Sequence, residues 1–313
     1  MNIRIGTSGW SYPTGRGTWN GVFYPAKGRR PRGFDELAYY AEHFDTVEVN
    51  STFYQPPRAA VTRRWVERTP AGFEFSLKLY QKFTHPAMFQ KATGSEAAAA
   101  EDDVDAFRAG LDPIAAAGKL GVLLAQFPPS FKQTPDSRGY LEWLLRVFEG
   151  CSVAVELRHR SWSDDVAGTL RLLNQLGAAW VQIDEPKFRF SIRQNYLPNV
   201  TSFYYMRLHG RNAATWWKHD AAEDRYDYLY SADELKPFAE TADAARRLVK
   251  KAYLYLNNHV AAKAVANAAV IKHQLGMPVT GTYLPELAER YPELRDIVRT
   301  AADAERPLFP TAI

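Results

Sequence analysis

Five short segments of the chain obey one alternation, with apolar residues on one set of alternate positions and charged or amide residues on the other. They are Thr46-Val47-Glu48-Val49-Asn50, Val153-Ala154-Val155-Glu156-Leu157-Arg158, Trp180-Val181-Gln182-Ile183-Asp184, Tyr205-Met206-Arg207-Leu208-His209 and Tyr253-Leu254-Tyr255-Leu256-Asn257. Successive side chains of a β-strand point to opposite faces. Glu48 therefore shares a face with Asn50, Glu156 with Arg158, Gln182 with Asp184, Arg207 with His209, and Tyr255 with Asn257. In each segment the polar set falls at the C-terminal end. With the apolar set packed outward beneath helices, these ends converge on one barrel mouth.

Eight strand-like runs emerge in all: 3–7, 45–50, 73–78, 121–127, 152–157, 179–184, 203–209 and 252–257. Helical spacing predicts helices over 34–43, 59–68, 95–117, 140–148, 163–176, 231–251 and 259–275. The sixth of these opens on Ser231-Ala232-Asp233-Glu234, a capping-box pattern. Strands alternating with helices imply parallel βαβ units, and eight of them imply an α/β fold with a single (β/α)₈ TIM-type barrel. The barrel is expected over 1–281 and a short helical tail packed outside it over 282–313. Between Pro186 and Pro198, segment 185–202 leaves little room for a helix. A doubly wound sheet is the competing architecture, but Gly6-Thr7-Ser8-Gly9 lacks the spacing of a phosphate-binding turn.

Composition narrows the class. With 313 residues, 46% apolar and 24% charged, the chain has ample material for a core. The single cysteine, Cys151, excludes an intrachain disulfide and fits a reducing compartment. The N-terminus reads as a strand rather than a signal peptide, and no run of 18 apolar residues could span a membrane. A cytoplasmic protein without membrane association is expected. The net charge of +4 is modest, but its distribution is uneven. Arg4, Arg16, Lys27, Arg29, Arg30 and Arg32 all precede the first acid, Asp35. Arg16, Lys27, Arg29, Arg30 and Arg32 lie in a first loop, 13–33, that could contact an anionic partner such as nucleic acid. A solvated loop is the competing reading.

Active sites of such barrels lie at the C-terminal strand ends. Those ends supply Ser8, Trp10, Glu48, Asn50, Lys78, Gln126, Glu156, Arg158, Asp184, Arg207, His209, Asn257 and His259. Arg158, Arg207 and Lys78 suggest an oxyanion in the substrate, phosphate or carboxylate. Glu48 and Glu156 form the first-choice acid/base pair, with Asp184 third. His209 is expected at the rim, exposed enough to shuttle protons. His259 is divided between capping the last helix and joining the site. Ser8, Asn50, Gln126 and Asn257 are expected to bind substrate, with Trp10, Tyr54 and Trp162 offering rings for stacking. The alternative for the charged set is a self-satisfied ion-pair network. Glu48, Glu156, Asp184, His209 and His259 are adequate metal-ligand types, yet no His-x-His, His-Glu-x-x-His or Cys-x-x-Cys spacing supports a site. No cofactor is assigned, and a divalent metal and the oligomeric state are left open.

Seven blocks taken together resemble a known family. They are Ile5-Gly6-Thr7-Ser8-Gly9-Trp10-Ser11-Tyr12, Val47 to Tyr54, Phe75-Ser76-Leu77-Lys78, Gln126-Phe127-Pro128-Pro129-Ser130-Phe131, Val155-Glu156-Leu157-Arg158-His159, Arg207-Leu208-His209-Gly210 and Tyr255-Leu256-Asn257-Asn258-His259. The pattern is similar to the YecE-like proteins, domain-of-unknown-function family 72, over roughly residues 3–275. The resemblance implies a TIM-type barrel with these motifs at one mouth and implies no reaction. From the residues, the leading expectation is a hydrolase of phosphodiester bonds, in nucleic acid. The first alternative is an isomerase or glycoside-type enzyme on a phosphorylated or acidic sugar. The second is a barrel that binds nucleic acid or a metabolite without turnover.

Overall fold

The computed structural model describes residues 2–193, 197–217 and 222–301. Among the described residues nine parallel strands form, one more than the sequence predicts. They are β1 (Ile3–Thr7), β2 (Thr46–Val49), β3 (Glu74–Lys78), β4 (Leu120–Gln126), β5 (Val153–Glu156), β6 (Ala179–Trp180), β7 (Gln182–Asp184), β8 (Phe203–Leu208) and β9 (Lys251–Leu256). The extra strand arises because the sixth predicted run divides at Val181. Its first part pairs with β5 and its second with β8, so one run serves two neighbours.

Two parallel sheets result, ordered β2-β3-β4-β5-β6 and β1-β9-β8-β7. They meet at both edges. At one seam Val181 donates its N–H to the carbonyl of Val155 at 3.0 Å. At the other, Ser8 bridges Glu48, and Gly9 donates to the carbonyl of Glu48 at 2.7 Å. The order thus runs round a ring in a TIM-type arrangement, with the hydrogen-bond ladder interrupted at two seams. Gly6 lets β1 approach β2, since a Cβ there would fall 2.4 Å from the Thr46 carbonyl oxygen.

Outward Val47, Val155 and Leu208 are buried in the apolar core as the alternation demands. The sixth run departs from it: Ile183 pairs in register with inward Arg207 and Asp184 with outward Leu208, so 182–184 turns the opposite face to the interior from the one expected. Inward, polar clusters are stacked at successive levels. Low in the barrel, Glu74 of β3 takes Lys251 Nζ at 2.6 Å, Tyr253 OH at 2.7 Å and Arg4 at 3.1 Å. Above it, Tyr255 OH meets Thr46 Oγ1 at 2.6 Å and Ser76 Oγ at 2.9 Å.

Helix ends differ from the sequence reading for local reasons. The Ala-rich helix spans Glu101–Ala116, because the Asp103 carboxylate accepts from the Ala100 N–H at 2.9 Å and fixes the start there. The segment 163–176 divides at Asp165, which caps the N–H of Gly168 at 3.0 Å. The capping box at Ser231 and Glu234 forms, opening helix Ala232–Arg246. The last long helix starts at Lys263, after Ala261 and Ala262 take left-handed φ values of 53° and 64°. Within 185–202, no helix occurs among the described residues. Beyond residue 282, helix Pro285–Arg290 and a short turn of helix Pro292–Leu294 bury Leu287 and Leu294; residues 302–313 of the predicted tail lie outside the described residues. Among the described residues no helix is long and apolar enough to cross a membrane.

Candidate functional site

At the top of the barrel interior the guanidinium of Arg207, on β8, is 1% exposed and clasped by two acids. Its Nε donates to Glu48 Oε2 at 2.9 Å and its Nη2 to Glu48 Oε1 at 2.6 Å. Its Nη1 reaches Glu156 Oε2 at 2.5 Å. Ser8 Oγ and Tyr205 OH, each at 2.7 Å, complete the coordination of Glu48. The other oxygen of Glu156 accepts from Arg158 Nε at 2.8 Å, while Arg158 Nη1 pairs with Glu185 at 3.2 Å. Glu185 lies one residue beyond the predicted run and shares the inward face of Ile183, a face that the polar pattern of 180–184 does not mark. Its burial pushes its carboxyl up, whereas Arg158 opposes that effect.

Electrostatics follow from this geometry. Burial disfavours the charge on Glu156, yet Arg207 and Arg158 outweigh it and hold the carboxyl well below the usual range. Burial likewise opposes the charge on Arg207, and Glu156 and Glu48 more than compensate. His209 corrects the expectation of an exposed shuttle. It is wholly buried, because the loop after β8 folds back and Tyr230 OH accepts from the Gly210 N–H at 2.8 Å. Its Nε2 lies 3.2 Å from Arg158 Nη2 and its Nδ1 2.9 Å from the Asn257 amide. Burial, reinforced by Arg207 and Arg158, lowers its pKa to about 3.

Above this layer opens a cavity of about 480 Å³, lined by Tyr12, Asn50, Phe53, Tyr54, Lys78, Gln126, Arg207, Glu223, Tyr226, Asn257 and His259. Six of the predicted substrate-binding residues thus come together there: Asn50, Tyr54, Lys78, Gln126, Arg207 and Asn257. The others do not line it. Ser8, Glu48, Glu156, Arg158 and His209 form the layer beneath. Asp184 turns to Arg211 and Tyr230, at 2.8 Å each. Trp10 packs edge-on against Trp65, and Trp162 is buried, donating to the Phe131 carbonyl at 2.9 Å. Both tryptophans serve the core rather than the cavity. His259 sits in the wall, stacked on Tyr12 at 4.4 Å, and burial lowers its pKa to about 4. Glu223 and Tyr226 come from the loop after β8, which carries no periodic signal that could have marked them.

Lys78 differs from every other cation of the site. Its Nζ lies 3.9 Å from the centroid of the Phe53 ring and has no hydrogen-bond or carboxylate partner among the described residues. Burial, with Arg207 adding to it, lowers its pKa to about 7. Asn50 Oδ1, also in the cavity wall, is a buried acceptor without a partner.

The first loop is folded rather than free. Trp19 is buried and donates to the His259 carbonyl at 2.6 Å. Arg16 pairs with Asp224 and Asp227, Arg29 with Glu286 at 3.6 Å, and Arg30 with Glu36 at 2.8 Å. Lys27 and Arg32 form no ion pair among the described residues. No group of three or more His, Cys, Asp or Glu residues there is arranged to hold a metal ion.

The family model described as a protein of unknown function, DUF72, matches residues 4–291. The chain belongs to the DUF72 family. It is 27% identical over 290 residues to the UPF0759 protein YunF of Bacillus subtilis, a match covering 89% of this chain and 96% of that one. The UPF0759 protein YecE of Escherichia coli K12 is 29% identical over 159 residues, about half of each chain. Among solved structures, a DUF72 protein of Thermotoga maritima superposes with a TM-score of 0.74 at 32% identity, covering 88% of this chain and all of that one. A DUF72 protein of Enterococcus faecalis gives 0.75 at 25% identity, covering 90% and 99%. The matched range 4–291 takes in every strand and all the residues of the ion-pair layer and of the cavity above it, Ile3 of β1 aside.

Proposed function

We propose that the barrel mouth binds one small, anionic, hydrogen-bonding molecule and acts on it by proton transfer, as an isomerase-type or lyase-type enzyme would. The observation that carries this reading is Lys78, a cation directed into a cavity of about 480 Å³ with no partner of its own among the described residues. A cavity of that size suits a metabolite rather than a polymer. Tyr12, Phe53, Tyr54 and Tyr226 offer rings and hydroxyls to a sugar-like body, and Asn50, Gln126 and Asn257 offer amides.

The same geometry disfavours two neighbouring chemistries. A glycosidase needs one carboxyl held protonated beside the bond, whereas Glu156 is held ionised by two arginines and Glu48 has both oxygens engaged by Arg207. Phosphodiester hydrolysis of nucleic acid called for free cations on the first loop, and three of its five bases are taken by acids of the same chain. Lys27 and Arg32 are what support that reading still.

Binding measured against salt separates them. Sugar phosphates such as ribose 5-phosphate should raise the melting temperature of the wild type, with weaker effect on Lys78→Met. A single-stranded oligonucleotide that binds more tightly, with a steep salt slope that Lys27→Ala and Arg32→Ala flatten, would overturn the proposal in favour of the polymer.

A further inference from the structure

Resting on that small-anion reading, we infer that Lys78 is a covalent nucleophile whose Nζ forms an imine with the carbonyl carbon of a small anionic aldehyde or ketone. An amine can attack only as the free base, and a carboxylate paired with a lysine keeps the proton on. Lys78 is not engaged. Its ammonium rests on the Phe53 ring at the cavity wall, while Glu48 and Glu156, the nearest acids of the interior, are saturated by Arg207, Arg158, Ser8 and Tyr205. The arginines that satisfy those acids also repel the charge on Nζ. His85 feels the same field: burial, then Lys78 and Arg158, lower its pKa to about 3, so it adds no positive charge at neutrality.

The layer therefore does two things at once. It removes the counter-ion that would fix Lys78 as a cation, and it leaves the fraction of Lys78 that stays protonated as the unpaired charge that draws an anion to the mouth. With its pKa lowered to about 7, Lys78 holds a substantial fraction of free amine at neutral pH, where an ordinary lysine is almost wholly protonated. The groups that face Nζ electrostatically are Arg207, Arg158, Glu156, Glu48 and His85.

The step balances without any redox partner. The Nζ lone pair forms a bond to the carbonyl carbon, the π electrons pass to oxygen, and solvent at the open mouth relays the proton from nitrogen to that oxygen. Asn50 Oδ1, the buried acceptor without a partner, is available to the new hydroxyl. The hydroxyl then leaves as water with the remaining N–H proton, relayed by solvent, while the nitrogen lone pair forms the C=N bond of the imine. An imine withdraws electrons from the adjacent carbon and so lowers the barrier to the proton transfer proposed above.

Glyoxylate, the smallest anionic aldehyde, tests this in the full-length protein with sodium cyanoborohydride at pH 7 and peptide mass spectrometry. Lys78 should gain the mass of the probe less one oxygen, about tenfold faster than the mean of the other lysines, given its larger free-base fraction. That advantage should vanish near pH 10, where ordinary lysines also deprotonate. Lys78→Arg, which keeps charge but cannot form an imine, should lose the fast adduct and no other. Modification of Lys78 at or below the mean rate would overturn the inference. Glycolate, which lacks the carbonyl, separates the two failures. If it raises the melting temperature of the wild type while Lys78 stays unlabelled, the anion site stands and the nucleophile falls. If neither probe engages the mouth, both fall.

Discussion

Arg207 and Glu48 make a two-point contact, 2.9 Å from Nε and 2.6 Å from Nη2, between strands that belong to different sheets. The same guanidinium reaches Glu156, also in the five-stranded sheet, at 2.5 Å. One side chain of β8 thus fastens the two halves of the barrel from within. Removing it leaves buried Glu48 without a cation and Glu156 with Arg158 alone. Arg207→Met should lower the stability measured by urea unfolding by about 3–5 kcal/mol. Arg207→Lys should also destabilise, because a point charge cannot hold three oxygens in a fork. Unaltered unfolding of both variants would mean the contacts carry no net stability.

Glu156 supplies a pH test. Its folded pKa lies below its unfolded one, so the stability it contributes is present above the unfolded value, near 4.5, and is lost as pH falls through the folded value. Glu156→Gln should be less stable than wild type at pH 7, and the difference should shrink steadily in acid below about pH 4.5. Thermal melts across pH 2–7 would read it, and a constant difference would refute the linkage.

Lys78 has the opposite consequence for stability. A lysine whose folded pKa is depressed to about 7 binds fewer protons folded than unfolded up to the unfolded value near 10.5. Its charge therefore destabilises the fold fully below pH 7, and the penalty fades as pH rises toward 10.5. Lys78→Met should melt higher than wild type at pH 6, with the gain narrowing by pH 10.

Ala261 and Ala262 follow His259 of the cavity wall and hold left-handed backbone. Ala261 is kept there by its N–H to the Gly17 carbonyl, 3.1 Å, and by Tyr291 OH to its own carbonyl, 2.6 Å. Such a conformation costs an L-residue about 1–2 kcal/mol. Ala261→Gly should therefore raise stability by about 1 kcal/mol in urea unfolding, and Ala261→Val should lower it.

The fold was legible because period-two alternation with polar strand ends survives any choice of loop, and the inward set Glu48, Glu156, Arg158, Arg207 and His209 does converge. What the alternation could not give was depth. It assigns a face, and along that face Glu48 and Glu156 sink into the ion-pair layer while Lys78 and Asn50 reach the cavity. In the run 179–184 it neither marked the division nor assigned the right face, because the register sets Ile183 beside Arg207 and Asp184 beside Leu208. Glu223 and Tyr226 were hidden for a different reason: irregular loops place side chains through tertiary contacts, and those leave no spacing to read. The pairing of Arg16 with Asp224 and Asp227 was equally invisible, spanning two loops far apart in sequence.

The two seams in the strand ladder bear on how such a barrel can drift. Outward positions meet helices through apolar packing, where a change of similar volume costs little and neighbours need not respond. Inside, Arg207, Glu48 and Glu156 share a charge balance across sheets that backbone hydrogen bonds join only at their edges. No one of the three can be exchanged for a neutral residue without upsetting the charge balance of the layer, so substitutions there are expected to arrive together. Variation in this architecture is accordingly independent on the outside and concerted within.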